Sequence, residues 1–407
     1  MGQPKTIMSI GLIGLGSIGK NLALNIQKSE DLHVFNRTPE KIAAVVEKGD
    51  NVHGHTKLGD MISDMKQPRT VFTALPHGEV TDSVVKDLVK ILDPDDTIID
   101  CSNEYYRNSR MRGAHCSAKG VNYLGTGLSG GSNGALTGPA LMIGGPQDVY
   151  ERHVDLFDTF CKNYAYMGND YGIGHFTKMV HNGVEYGMLQ GVADVYAYCN
   201  QNMFDMSKVL VSLKETDIDG YILDCAIKVL QTYNIDKISD VAEMNNTGLW
   251  CTQTGIEYQI PTPVINSAVN TRMASRYAKC LNTNDDRNPL RITAVAANTL
   301  RFVFASSILE GYELMSTRNV SREQVAHAWS SGTIIECPMI GHECYDVLEE
   351  TIDDVRTFVH RCTQSGIPCP AVQAALTHYD FMHRKKTSIN FLMAQRNHFG
   401  QHSITEA

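Results

Sequence analysis

The 407-residue sequence has no stretch long and apolar enough to cross a bilayer, and the short apolar run in MGQPKTIMSIGLIGLGSIGK is soon broken by glycines. Neither a signal peptide nor a membrane anchor is expected, and the expected compartment is cytoplasmic. Gly2 and Thr6 formally match a myristoylation pattern, but residues 8–13 are needed for a buried strand. Positive charge is short: 36 Lys and Arg stand against 45 Asp and Glu, a net charge of −9 that argues against general affinity for nucleic acid or anionic lipid. H-E-x-x-H and paired C-x-x-C patterns are missing, so no metal is expected, and Cys337, His342 and Cys344 read as core and turn. The eleven cysteines are odd in number and lack the dense spacing of a disulfide scaffold, which predicts reduced thiols. Repeats and low-complexity segments are also absent. These exclusions leave a small-molecule partner and a chain too long for one ordinary core.

Short apolar runs alternate with polar helical stretches from Met8 to about Gly145: SIGLIG, LHVFN, TVFTALP, TIIDC, VNYLGT, ALMIGG. This rhythm predicts an α/β Rossmann-type domain with a doubly wound, mostly parallel sheet. In NRTPEKIAAVVEKG, Thr38 suits an N-cap, Pro39 the first helical turn and Gly49 the exit. After about Asp170 strand-like runs become rare, and 175–202, 218–231 and 290–317 carry apolar residues at helical spacing. The expected organisation is a nucleotide-binding domain over 1–172, a mostly α-helical domain over 173–384, and a polar tail over 385–407.

Gly14, Leu15, Gly16, Ser17, Ile18 and Gly19 form a G-x-G-x-x-G loop between an apolar strand and a helix. The first glycine permits the turn, the second lets a pyrophosphate approach the backbone, and the third lets helix and strand pack closely. An NAD site usually places Asp or Glu about 20 residues further on. Here Asn36, Arg37 and Thr38 stand there, and a guanidinium with a hydroxyl suits the 2′-phosphate of NADP unless Arg37 is an ordinary surface residue.

In HFTKMVHNGVEYGMLQ, Lys178, His181, Asn182, Glu185 and Tyr186 fall at i, i+3, i+4, i+7 and i+8, on one helical face. The plain alternative is a solvated stripe with Met179, Val180, Val184 and Leu189 turned inward.

With the glycine loop, FNRT and the first helix together, the chain resembles the 6-phosphogluconate dehydrogenases, NADP-linked oxidative decarboxylases, along almost its whole length. IIDCSNEYYRNS is similar to the family stretch whose asparagine serves substrate and cofactor, which implies that role for Asn103. GTGLSGGSNGALTGPALMIGG resembles the substrate loop, implying contacts from Ser129, Gly130 and Gly131. GHFTKMVHNGVEYG is nearly the family signature, implying Lys178 as general base, Glu185 as general acid, and His181, Asn182 and Tyr186 as substrate ligands. Arg272 matches a phosphate-binding arginine. AQRNHFGQH resembles the tail that enters the partner subunit's site, which implies a homodimer with Arg396 and His402 in substrate contact.

The sequence also departs from the family. Leu249 and Cys251 replace a lysine and a threonine in the phosphate-binding turn. TALPHGEV, with Leu75, Pro76 and His77 on the cofactor side, has Pro76 where lysine is common and looks closer to related β-hydroxyacid dehydrogenases. The helical domain is shortened around 279–292, and the chain stops shortly after His402.

A lysine can serve as base if burial lowers its pKa toward neutrality, and Glu185 lies about 10 Å of helical rise away, a span a sugar acid bridges. The leading expectation is oxidative decarboxylation of 6-phosphogluconate to ribulose 5-phosphate and CO2. Two alternatives stand beside it: a dehydrogenase of an unphosphorylated or other sugar acid, and a catalytically silent NADPH-binding regulator.

Overall fold

Apolar β-branched runs, each ended by glycine or a polar residue, build the first half of the chain, which the computed structural model describes over residues 8–277 and 293–400. Gly2 and Thr6, the shortened stretch at 279–292, and His402 lie outside these residues. The strands are β1 (Ser9–Ile13), β2 (Leu32–Phe35), β3 (Val52–His55), β4 (Arg69–Thr73), β5 (Thr97–Asp100), β6 (Asn122–Ser129), β7 (Ala140–Gly144) and β8 (Asn163–Gly168). Between them run α1 (Ser17–Ile26), α2 (Pro39–Val46), α3 (Leu58–Asp64), α4 (Glu79–Ile91), α5 (Tyr106–Ser117), α6 (Gly131–Thr137), α7 (Gln147–Arg152) and α8 (Val154–Phe160). The sheet order is β3-β2-β1-β4-β5-β6-β7-β8. Every pairing is parallel except β6 with β7, which only the short α6 connects.

Both sheet faces are covered. Ile10 and Leu12 of β1 pack with Leu22, Ala23 and Ile26 of α1, while Ile13 joins Met61, Ile62, Val85 and Leu88 of α3 and α4 on the other side. Strand order reverses between β1 and β4, which opens a crevice at their carboxyl ends. β3 (VHGH) and β8 (NYAYMG) were not among the expected strands. Neither shows a long β-branched run, and pairing with β2 and β7 defines them. Thr38 is the N-cap of α2 and Pro39 its first residue, although the Thr38 hydroxyl makes no capping bond.

From Ile173 onward the described chain is helical: α9 (Ile173–Gln201), α10 (Met206–Ser212), α11 (Tyr221–Thr232), α12 (Asn246–Tyr258), α13 (Pro263–Ala274), α14 (Thr293–Ser316), α15 (Arg322–Trp329), α16 (Cys344–Gln364), α17 (Pro370–Met382) and α18 (Ile389–Gly400). α13 and α17 both begin with proline, and each receives a cap from a distant helix. Glu310 of α14 accepts from the N–H groups of Val264 and Ile265 at 2.7 and 3.0 Å. Asp194 of α9 accepts from Ala371 and Val372 at 2.8 and 3.2 Å. Burial pushes these carboxyls up to about 8 and about 7. Cys337 and Cys344 are buried. The expected polar tail contains α18, in which Leu392, Met393, Ala394, Gln395 and Arg396 form a central run of good helix formers without internal proline. Among the described residues no helix is long and apolar enough to cross a membrane.

Candidate active site

The glycine loop lies at the β1/β4 crevice. A Cβ on Gly14 (φ +97°) would lie 2.5 Å from the Ala74 carbonyl, and one on Gly19 would lie 1.9 Å from the Gly14 carbonyl, so neither tolerates a side chain. Gly16, the N-cap of α1, has nothing within 4 Å of its Cβ position. That open space before a helix N-terminus suits a pyrophosphate, with Ser17 exposed and Ile18 half-buried beside it. Asn36 is already engaged: its Oδ1 accepts the Leu15 N–H at 3.0 Å and its Nδ2 donates to the Thr38 carbonyl at 3.2 Å. It therefore ties the glycine loop to the end of β2, leaving exposed Arg37 and Thr38 as the groups that reach outward. No carboxylate stands among the three, and the set fits the 2′-phosphate of NADP.

A second wall comes from the ends of β4 and β5. Arg112, 4% exposed, donates to Asp82 (2.7 Å), Asp100 (3.1 Å), Glu104 (2.6 Å) and the Gly78 carbonyl (3.1 Å). Glu104 also accepts the Gly78 N–H at 2.8 Å. This cluster ties the loop bearing Leu75, Pro76 and His77 to the loop bearing exposed Asn103. His77 and Tyr105 both place their rings 5.3 Å from that of Trp250 on α12, joining the two halves of the molecule.

The stripe of α9 is not solvated. Lys178, His181, Asn182 and Tyr186 are 8%, 0%, 6% and 4% exposed, which excludes the surface reading. α9 packs this face toward β6, where a Cβ on Gly127 would lie 2.4 Å from that of Lys178. Lys178 Nζ donates to Ser129 Oγ at 3.0 Å and stands 3.2 Å from His181 Nδ1, while Ser129 Oγ meets His181 Nε2 at 3.1 Å. Burial pulls the amine down to about 8, with Glu185 opposing. Burial, and then Lys178, hold His181 well below its usual pKa, so the ring is neutral. Burial raises Glu185, opposed by Lys178 and Arg272.

Residues 247–251, the stretch similar to the phosphate-binding turn, lie in the first two turns of α12, which Asn245 caps by accepting the Thr247 N–H at 3.2 Å. Asn245 also accepts from the Tyr186 hydroxyl at 3.1 Å, and Thr247 accepts from Asn182 Nδ2 at 3.0 Å. The Arg272 guanidinium stacks 3.6 Å from the Tyr186 ring centroid. Arg272 and the N-terminus of α12 thus bring positive potential beside Tyr186, with Leu249 half-buried in the same turn. Asn245 was not among the expected residues, although N-x-T before a helical run is a legible cap. Gly130 and Gly131 adjoin Ser129. Arg396 is exposed on α18 and donates to Met393 Sδ at 3.8 Å on its own helix.

The model for the NAD binding domain of 6-phosphogluconate dehydrogenase matches residues 9–168, and that for the 6-phosphogluconate dehydrogenase C-terminal domain matches residues 174–407. The chain belongs to the 6-phosphogluconate dehydrogenase family. Among relatives, the decarboxylating 6-phosphogluconate dehydrogenase of Lactococcus lactis is 28% identical, with 97% of this chain and 95% of that one covered. The Staphylococcus aureus enzyme is also 28% identical, with 97% and 96% covered. Plasmodium falciparum 6-phosphogluconate dehydrogenase, solved apo, with its cofactor NADP+ and with its substrate 6-phosphogluconate, superposes with a TM-score of 0.88 at 25% identity over 98% of both chains. A 3-hydroxyisobutyrate dehydrogenase from Salmonella typhimurium shares the fold over 66% of this chain, with a TM-score of 0.53 at 15% identity.

Proposed function

We propose that the protein catalyses NADP-dependent oxidative decarboxylation of 6-phosphogluconate to ribulose 5-phosphate and CO2. The observation that carries this is Lys178, buried and lowered to about 8 between Ser129 and His181, with a raised Glu185 on the same face of α9. NADP, when bound, supplies the hydride acceptor. Lys178 takes the proton of the substrate hydroxyl at the oxidised carbon, and neutral His181 with Ser129 orients the amine. Once the β-keto acid has lost CO2, Glu185, whose carboxyl burial raises against the pull of Lys178 and Arg272, delivers a proton to the enediol carbon from the far end of the stripe. Asn103, Gly130, Gly131 and Asn182 line the path between, and Arg272 with Tyr186 receives the phosphate.

We divide the chain at 172/173 and 384/385, and take the working unit to be a homodimer. α18 supports this, since it exposes Ile389, Phe391 and Leu392 together with Arg396, a surface suited to lying on another subunit. The ten cysteines of the described residues are free thiols, which supports a reducing, cytoplasmic setting. Leu249 favours one competing reading, a dehydrogenase of an unphosphorylated sugar acid. Measuring NADPH formation and CO2 release on a panel of sugar acids decides between them: 6-phosphogluconate should be the best substrate, and faster turnover of gluconate would overturn the proposal.

A further inference from the structure

Ser129 is held from a third side, by the backbone N–H of Ile334, which donates to its Oγ at 3.4 Å. This contact comes from residues 330–336, the segment that follows α15. Two glycines with left-handed torsions let the segment in: a Cβ on Gly130 (φ +104°) would lie 2.8 Å from the carbonyl of Gly332 (φ +73°). The Ile334 side chain reaches within 3.7 Å of the Cβ position of Gly131. Trp329, fully buried just before the segment, sets its ring edge-on to His181 at 6.3 Å. The last residue of α15 and the segment after it therefore pack against His181 and Ser129, the two polar partners of Lys178.

Glu336 holds that stretch in shape. Its carboxylate accepts the Gly332 N–H at 2.5 Å, closing the segment on itself, and pairs with Lys162 at 3.3 Å across the seam between the two halves. Lys162 is half exposed, so the ion pair contributes little, whereas the backbone contact is within a half-buried turn.

We infer that Glu336 is a positioning residue for the proposed reaction: by holding Gly332 it seats Ile334 against Ser129, and so sets the hydroxyl shared by Lys178 and His181. The inference rests on the function proposed above. Lys178 is faced by His181 and Glu185 from its own helix and by Ser129 from β6, with Arg272 acting on Glu185. Withdrawal of the segment leaves the Ser129 oxygen with one donor fewer and admits water to the amine. Both changes favour the protonated lysine.

The test compares Glu336→Ala, Glu336→Gln, Glu336→Asp and Lys162→Ala for the pH dependence of kcat/KM on 6-phosphogluconate. Acrylamide quenching of Trp329 is read in a Trp250→Phe background, the chain having two tryptophans. Glu336→Ala should move the acidic limb upward by about half a pH unit or more, lower kcat about three- to tenfold, and make Trp329 more quenchable. Glu336→Gln keeps an acceptor for Gly332 and should stay within about twofold of wild type, as should Lys162→Ala. Glu336→Asp falls one methylene short and should shift the limb in the same direction, which preserves the test if the alanine variant does not fold. An unmoved limb with unchanged quenching overturns the inference, as does equal damage in the alanine and glutamine variants. A wild type inactive on every sugar acid would instead remove the function proposal and the catalytic half of this one. The quenching would then still show whether Glu336 holds the segment.

Discussion

Replacing Lys178 by methionine should abolish hydride transfer and yet leave the protein at least as stable at pH 7. The amine falls from its ordinary 10.5 to about 8 because it is 8% exposed. At pH 7 about one molecule in ten carries the free base, against about one in three thousand for an unperturbed lysine. The same burial weakens the fold. Between pH 8 and 10.5 the unfolded chain binds the proton that the folded chain has released, so the stability tied to Lys178 rises with pH across that window and carries its full penalty below it. The fall corresponds to about 3 kcal/mol at pH 7 and about 1 kcal/mol at pH 10. Methionine fills a similar volume, removes the penalty, and loses the contacts to Ser129 and His181, about 1 kcal/mol each. The variant should therefore unfold at pH 7 with a free energy from equal to wild type to about 2 kcal/mol higher, and lose about 2 kcal/mol of that relative standing by pH 10. Urea unfolding of both proteins at the two pH values, with stopped-flow NADPH formation alongside, measures each quantity. A stability difference independent of pH would refute the reasoning, as would substantial hydride transfer by the variant.

Arg37→Asp should reverse the preference for NADP over NAD, weakening NADP about 10- to 100-fold, as loss of a charge-assisted contact to the 2′-phosphate requires; wild-type use of NAD at least as good as NADP would contradict the reading. Leu249→Lys should lower the KM for 6-phosphogluconate by about one order of magnitude and leave gluconate nearly unchanged, because an ammonium would join Arg272 at the start of α12. Mixing Lys178→Ala with Arg396→Ala protomers should restore about a quarter of wild-type activity, since half of randomly paired dimers are mixed and each holds one intact site; full activity in a monomer at assay concentration would count against the exchanged tail.

The local features were legible because their causes are local. Gly14, Gly16 and Gly19 punctuate a strand–turn–helix whose steric demands are met within a few residues, and the alternation of apolar runs needs only a parallel sheet buried on both faces. The 3.6-residue period placed Lys178, His181, Asn182, Glu185 and Tyr186 on one face of α9. It did not reveal whether that face met water, since charged residues in a row describe a wet surface as well as a filled site.

Sequence alone determined the Rossmann half, the helical half, and which residue types share a stripe. Contacts between distant segments decided the rest. β3 and β8 exist because β2 and β7 pair with them, and the N-termini of α13 and α17 are satisfied by Glu310 and Asp194 from α14 and α9. Asn36, which reads as a cofactor ligand beside Arg37, turns back to hold Leu15. The pKa of Lys178 is likewise set by what closes over it, namely Ser129 from β6 and the body of the helical half. Burial depends on where other parts of the chain come to rest, and no pattern within α9 encodes that.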